Sequence, residues 1–224
     1  MPNALPIIVT DLDGVLVDIM TEILEQIWDA LGVALTPEDC TEYDVAKAFG
    51  SKLQHKLDER TLQDCLKIHV WDNPGVYRSA RPYWPVHQTY QSWLRAGGNI
   101  AVLTSRPDMP SVVDATRAWL HAWGYDGVDF HLSRTYGGKE AALEQILEDL
   151  ELRRAGSAPP SEIWVVEDDP AQAAGMAQVL ADNPEVQGHV YMLERPWTKS
   201  CYGGLLKKRY LEQDVAERIE AARS

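Results

Sequence analysis

Cysteine is scarce in this chain: three in 224 residues, at Cys40, Cys65 and Cys201. An odd number, so widely spaced, supplies neither a disulfide framework nor a zinc site, and is read as reduced thiols in a cytoplasmic protein. Positive charge is also short. Lysine and arginine number 21 against 34 acidic residues, leaving a net charge of −13. That balance disfavours extended nucleic acid and anionic membranes as partners, because clustered positive charge supplies much of the affinity for both. A local basic pocket stays open. No apolar run nears the roughly 20 residues of a bilayer span. Met1 to Pro6 lacks the positive start of a signal peptide, so none is expected. What is present is a 45% apolar composition, enough to bury a core in one ordinary domain or in a core with a small insert.

Short β-branched runs mark the strands. Ile7-Ile8-Val9-Thr10, Asn99 to Leu103 and Ile163 to Val166 are apolar on both faces, as buried parallel strands are; Val128 to Leu132 and His189 to Met192 are weaker. Between them run helical stripes such as Leu143, Ile146, Leu147 and Leu150. Strands alternating with helices predict an α/β core around a parallel sheet. About 90 residues separate the first two strong strands, too many for a single crossover helix. Ile19, Ile23, Ile27 and Leu31 recur at four-residue spacing, Thr36-Pro37-Glu38-Asp39 is a helix start, and Leu53 to Leu66 continues the pattern. Trp71 to Gly75 is turn chemistry, and Pro85 to Arg95 is a helix returning to the core. The expected organisation is a core of residues 1–17 and 83–224 with a helical cap over 18–82. Ala155 to Ser161 is a loop and Leu205 to Ala222 a surface helix.

Each strong strand ends in polar residues, where open α/β sheets place their ligands. The first leads into Asp11-Leu12-Asp13-Gly14-Val15-Leu16-Val17-Asp18. Residues two apart on an extended chain point the same way, so Asp11 and Asp13 can face one site, and Gly14 lets the backbone turn. The second strand gives Thr104-Ser105-Arg106, with hydroxyls suited to a phosphate oxygen. Another ends in Glu167-Asp168-Asp169-Pro170. Carboxylates converging from two strands repel unless a cation lies between them, and oxygen-only ligands suit Mg²⁺. Taken singly, Asp-Asp-Pro is a turn with a helix start and Thr-Ser-Arg-Pro is loop chemistry. Together, in this order at strand ends, they describe a site.

On these residues the chain resembles the haloacid dehalogenase (HAD) superfamily of phosphohydrolases. Asp11 to Asp18 fits its first motif, Thr104 the second, Lys139 the third and Asp168-Asp169 the fourth. The resemblance runs from about Ile7 to Met192. It implies a Rossmann-like parallel sheet with an α-helical cap inserted after the first motif. The Thr-Ser-x-Pro signature, the cap size and Arg195-Pro196-Trp197 look most like 5′(3′)-deoxyribonucleotidases. The resemblance further implies nucleophilic attack by Asp11, forming an aspartyl-phosphate, with Asp13 as the acid and base. Neighbouring carboxylates are expected to help Asp13 hold its proton. Mg²⁺ would sit on Asp11, the Asp13 carbonyl and Asp168 or Asp169, while Thr104, Ser105 and Lys139 hold phosphate oxygens.

In the cap, Ile19, Tyr43, Phe49 and Trp71 are candidates for a substrate roof, with packing in the cap core an equal alternative for each. Trp119 and Trp123, four apart, favour core packing over a nucleobase platform. The expected activity is hydrolysis of a small phosphate ester, a (deoxy)nucleoside 5′-monophosphate first. A phosphatase for polynucleotide ends or other small esters is second, since Thr116 to Leu120 resembles polynucleotide 3′-phosphatases. A non-catalytic binding module of the same fold is the alternative of another class. No membrane partner is expected, and a homodimer stays open.

Overall fold

A computed structural model describes residues 5–40, 42, 44–53, 58–153, 162–198 and 210–223. Tyr43, Cys201, the expected loop Ala155 to Ser161 and residues 205–209 therefore lie outside the described residues. Five parallel strands form one sheet: β1 (Ile7–Thr10), β2 (Asn99–Thr104), β3 (Asp129–Leu132), β4 (Glu162–Glu167) and β5 (Gln187–Met192). Their order is β3-β2-β1-β4-β5. In the register, Thr10 lies beside Val102 on one side and Val166 on the other. The chain therefore runs outward in opposite directions from β1. That reversal opens a crevice past the carboxyl ends of β1, β2 and β4, where the polar motifs stand.

The two faces divide as a two-residue side-chain period requires. Ile7, Val9, Ala101, Leu103, Ile163 and Val165 pack against α7 (Lys139–Arg153) and α8 (Pro170–Asp182). Ile8, Ile100, Val102, Trp164 and Val166 face the opposite way, toward α5 (Trp84–Arg95), α6 (Pro110–Ala122) and α9 (Leu211–Arg223). Trp93 of α5 stacks on Trp164 at 5.4 Å, and Trp119 of α6 is buried with its indole N–H on the Ala80 carbonyl at 2.7 Å. Trp119 is thus core packing.

Between β1 and β2 the described residues are helical: α1 (Ile19–Leu31), a 3₁₀ turn (Pro37–Asp39), α2 (Val45–Leu53), α3 (Glu59–Leu66), a wide helical turn (Lys67–Trp71) and α4 (Pro74–Ser79). Local chemistry starts several of them. Asp18 caps α1 through the Thr21 N–H and hydroxyl, and Thr36 and Asp39 form a capping box. Where the sequence suggested one turn over Trp71 to Gly75, the helical path runs to Trp71 and restarts at Pro74. Asn73 caps the new helix by accepting the Gly75 N–H. The two ends of this segment meet. Asp18 N–H donates to the Arg81 carbonyl and Tyr83 N–H to the Leu16 carbonyl, at 2.8 and 2.9 Å. The helical segment enters and leaves the sheet at one paired neck.

Candidate active site

Asp11 follows β1 directly, its N–H bonded to the Val166 carbonyl of β4 at 3.0 Å. That bond fixes the first carboxylate at the mouth of the crevice. Lys139 opens α7 and is buried, with Nζ 2.9 Å from Asp11 Oδ2 and 2.6 Å from Glu167 Oε2. It is no exposed helix-start lysine. Burial alone would lower its pKa, but Asp11 and Glu167 more than offset that and hold it charged. Glu167 is fully buried at the end of β4; its Oε1 accepts the N–H groups of Asp168 and Asp169, each at 3.0 Å.

Asp11, Glu167 and Asp168 converge: one carboxylate oxygen from each lies within 4.8 Å of the others. Their proximity and burial favour the protonated forms. Burial first, then Glu167 and Asp13, push Asp11 up to about 7 despite Lys139. Burial, with Glu167 and Asp11, likewise raises Asp168 well above the ordinary carboxylate range. Asp11 Oδ1 and Asp168 Oδ1 are buried without a hydrogen-bond partner among the described residues. Gly14 has φ +79°, and a β-carbon there would lie 1.9 Å from Asp168 Oδ2. Glycine at this turn is what lets the two acidic loops meet.

The structure separates two acids that the sequence grouped. Asp169 is the N-cap of α8, accepting from the Ala171 N–H at 2.9 Å and from Gln172 Nε2 at 2.9 Å. Its carboxylate satisfies the helix end, and the converging third acid is Glu167. The Asp-Pro pair was the available signal, since Pro170 occupies the first helical turn. Asp13 also differs from expectation. Its two oxygens accept from Arg106 Nε at 2.8 Å and Nη2 at 2.6 Å, so its closest charged neighbour is a cation and not a carboxylate. Arg106 is buried, donates to Thr116 Oγ1 at 3.0 Å and lies 4.4 Å from the Tyr77 ring centre. In sequence Arg106 belongs to a loop, and an arginine beside strand-end hydroxyls is the signal.

Thr104 is buried at the end of β2, its hydroxyl accepting the Arg106 N–H at 3.3 Å. Ser105 bonds the Ser133 hydroxyl at 2.9 Å. Above these groups lies a cavity of about 590 Å³, lined from below by Asp11, Asp13, Thr104, Ser105, Arg106 and Asp168. Ile19 and Trp71 line it from the helical segment, together with Gln63 and Lys67. Phe49 is fully buried and is absent from the lining, so it belongs to the apolar cluster. Lys139 stands behind Asp11 and does not line the cavity.

The class of fold is set by solved structures. A HAD-superfamily hydrolase of subfamily IA from Geobacter sulfurreducens is 15% identical with TM-score 0.56, over 88% of this chain and 95% of that one. A phosphoglycolate phosphatase-like protein from Lactobacillus delbrueckii is 13% identical with TM-score 0.58, over 98% and 99%. A haloacid dehalogenase-like hydrolase from Streptococcus pneumoniae is 14% identical with TM-score 0.53, over 96% and 92%. No protein-family model and no curated protein matches the chain. The chain has the α/β fold of HAD-like hydrolases. The narrower likeness to deoxyribonucleotidases finds no support among these structures.

Proposed function

We propose that the chain is a magnesium-dependent phosphomonoesterase that uses Asp11 as nucleophile and acts on a small ester, a nucleoside 5′-monophosphate first. The carrying observation is a pair of buried oxygens, Asp11 Oδ1 and Asp168 Oδ1, with no hydrogen-bond partner among the described residues, beside Lys139 at the base of a cavity. Burying two carboxylates so costs several kcal/mol unless a cation compensates them, and an all-oxygen donor set fits Mg²⁺. The Asp13 carbonyl joins this set in the proposal. When bound, the ion would neutralise phosphate charge and let an anionic nucleophile approach an anionic ester.

The chain's own groups divide the remaining work. Lys139 holds the Asp11 carboxylate in place from one side, while Glu167 anchors Lys139. Thr104 and Ser105 supply hydroxyls for phosphate oxygens at the strand end. Attack of an Asp11 oxygen on phosphorus forms the acyl-phosphate bond as the ester P–O bond breaks. The departing alkoxide takes a proton from Asp13, and Asp13 then accepts one from the water that hydrolyses the acyl phosphate. For this, one of the two Asp13–Arg106 hydrogen bonds opens, and the freed carboxylate oxygen takes up a proton from solvent before it turns to the leaving oxygen.

The helical segment 18–82 acts as the substrate cap in this reading. The cavity lies within the range of ordinary small-molecule sites. Its apolar lining with Trp71, Gln63 and Lys67 offers both a surface and polar partners to a nucleoside. The test is phosphate release from nucleoside 5′-monophosphates, phosphoglycolate, p-nitrophenyl phosphate and a phosphorylated oligonucleotide, with Mg²⁺ or with EDTA. The reading expects Mg²⁺-dependent release, fastest on mononucleotides, with Trp71→Ala changing the ranking among nucleotides more than the p-nitrophenyl phosphate rate. Release in excess EDTA contradicts the metal. A faster, steeply salt-dependent oligonucleotide reaction contradicts the substrate class.

A further inference from the structure

We infer that Trp197 is a positioning residue for cation binding. It holds one oxygen of Asp168, so that the other is presented toward Asp11. The Trp197 indole N–H lies 3.2 Å from Asp168 Oδ2 and 3.1 Å from the Asp168 carbonyl. An indole N–H only donates, so it favours the ionised carboxylate and fixes which oxygen it engages. Gly14 closes the same side, because Oδ2 packs where a β-carbon would stand. Asp168 Oδ1 remains buried and without a hydrogen-bond partner among the described residues, as does Asp11 Oδ1. The carboxylate is thus tethered by one oxygen and keeps the other free of hydrogen bonds from the described residues.

The tether is itself anchored to both acidic loops. Leu193 N–H donates to the Glu167 carbonyl at 2.9 Å, and Thr198 Oγ1 donates to the Leu193 carbonyl at 2.9 Å while accepting the Arg195 N–H at 2.8 Å. Arg195 Nε donates to the Gly14 carbonyl at 2.7 Å, with its guanidinium 4.0 Å from the Tyr83 ring centre. The tight turn after β5 therefore ties the Asp11–Gly14 loop to the Glu167–Asp168 loop. Trp197 also lines the cavity. A side chain held this way can fix the ligand without touching the ester.

This inference rests on the metal reading above, and the experiment separates the two. Mg²⁺ is titrated by calorimetry into metal-free wild type and Trp197→Phe, which keeps a flat ring and loses the N–H. The expected result is a dissociation constant raised about 10–100-fold, the usual scale for losing a partner that orients a metal ligand. Circular dichroism confirms that the metal-free variant is folded, and the dissociation constant is the readout. Equal affinity in wild type and variant overturns the role of Trp197. Wild type that binds no Mg²⁺ overturns the metal reading itself. Should Trp197→Phe fail to fold, the indole N–H resonances of the wild type are followed during Mg²⁺ titration. A shift of the Trp197 indole resonance supports the tether, and a Trp197 resonance that stays fixed overturns it.

Discussion

Raising the pH of the metal-free protein should weaken it more than the ordinary behaviour of a carboxylate allows. Asp11 has its pKa pushed from 3.8 to about 7, chiefly by burial and then by Glu167 and Asp13. The folded state therefore keeps a proton that the unfolded chain releases above its ordinary carboxylate range. Stability from this group is fully present below pH ~4 and is lost as pH rises through about 7. At 1.36 kcal/mol per pH unit, the loss approaches ~4 kcal/mol by pH 8. That is a large part of a typical domain's 5–15 kcal/mol. Asp168, raised in the same direction, adds to the slope. The assay is urea unfolding at pH 5, 6, 7 and 8 in EDTA, for wild type and Asp11→Asn. The asparagine keeps the size and removes the titration, so the difference between the two slopes isolates Asp11 from the general repulsion of a chain at −13. Millimolar Mg²⁺ should then restore stability at pH 8 far more than at pH 5. Parallel slopes for the two proteins would refute the reasoning.

Asp168→Ala should abolish Mg²⁺ stabilisation. Asp169→Ala should cost about 1 kcal/mol as a lost helix cap and leave Mg²⁺ affinity nearly unchanged, checked by calorimetry and urea unfolding. Gly14→Ala should cost at least 2–3 kcal/mol through its positive φ and its clash with Asp168, and should also weaken Mg²⁺ binding. Asp13→Asn should cut turnover of alkyl phosphates about 100-fold or more and slow p-nitrophenyl phosphate much less, since a nitrophenolate departs without a proton. Equal losses on both esters would remove Asp13 from the role of acid. Lys139→Met should destabilise the fold by about 3–5 kcal/mol at neutral pH, because it leaves two buried carboxylates without their cation.

The parts of the fold legible in sequence were those with strong local signals. Ile7–Thr10, Asn99–Thr104 and Glu162–Glu167 are β-branched and apolar, and all three are central strands. The ends of these strands were legible as a candidate site for the same reason, since polar residues directly after buried strands have few other places to point. Which carboxylates converge was not legible. Glu167, Asp168 and Asp169 are consecutive, and only the backbone turn at the end of β4 sends one of them to cap α8 and the other two inward. Arg106 reaches Asp13 across 93 positions of sequence, a pairing no local pattern encodes. The cavity lining was partly legible. Helical spacing brings Ile19 toward the cavity, but Phe49 and Trp71 carry equally apolar faces, and their different fates depend on how separate helices pack.

The most direct test of the account is to find where phosphorus goes during turnover. Wild type and Asp11→Asn are mixed with a phosphate ester and Mg²⁺, quenched in acid within milliseconds, and mapped by peptide mass spectrometry. The account predicts a transient phosphoryl group on Asp11 of the wild type, absent from Asp11→Asn, whose phosphate release falls to background. Ester hydrolysis at an undiminished rate by Asp11→Asn, with no phosphoryl group on that peptide in the wild type, would contradict it.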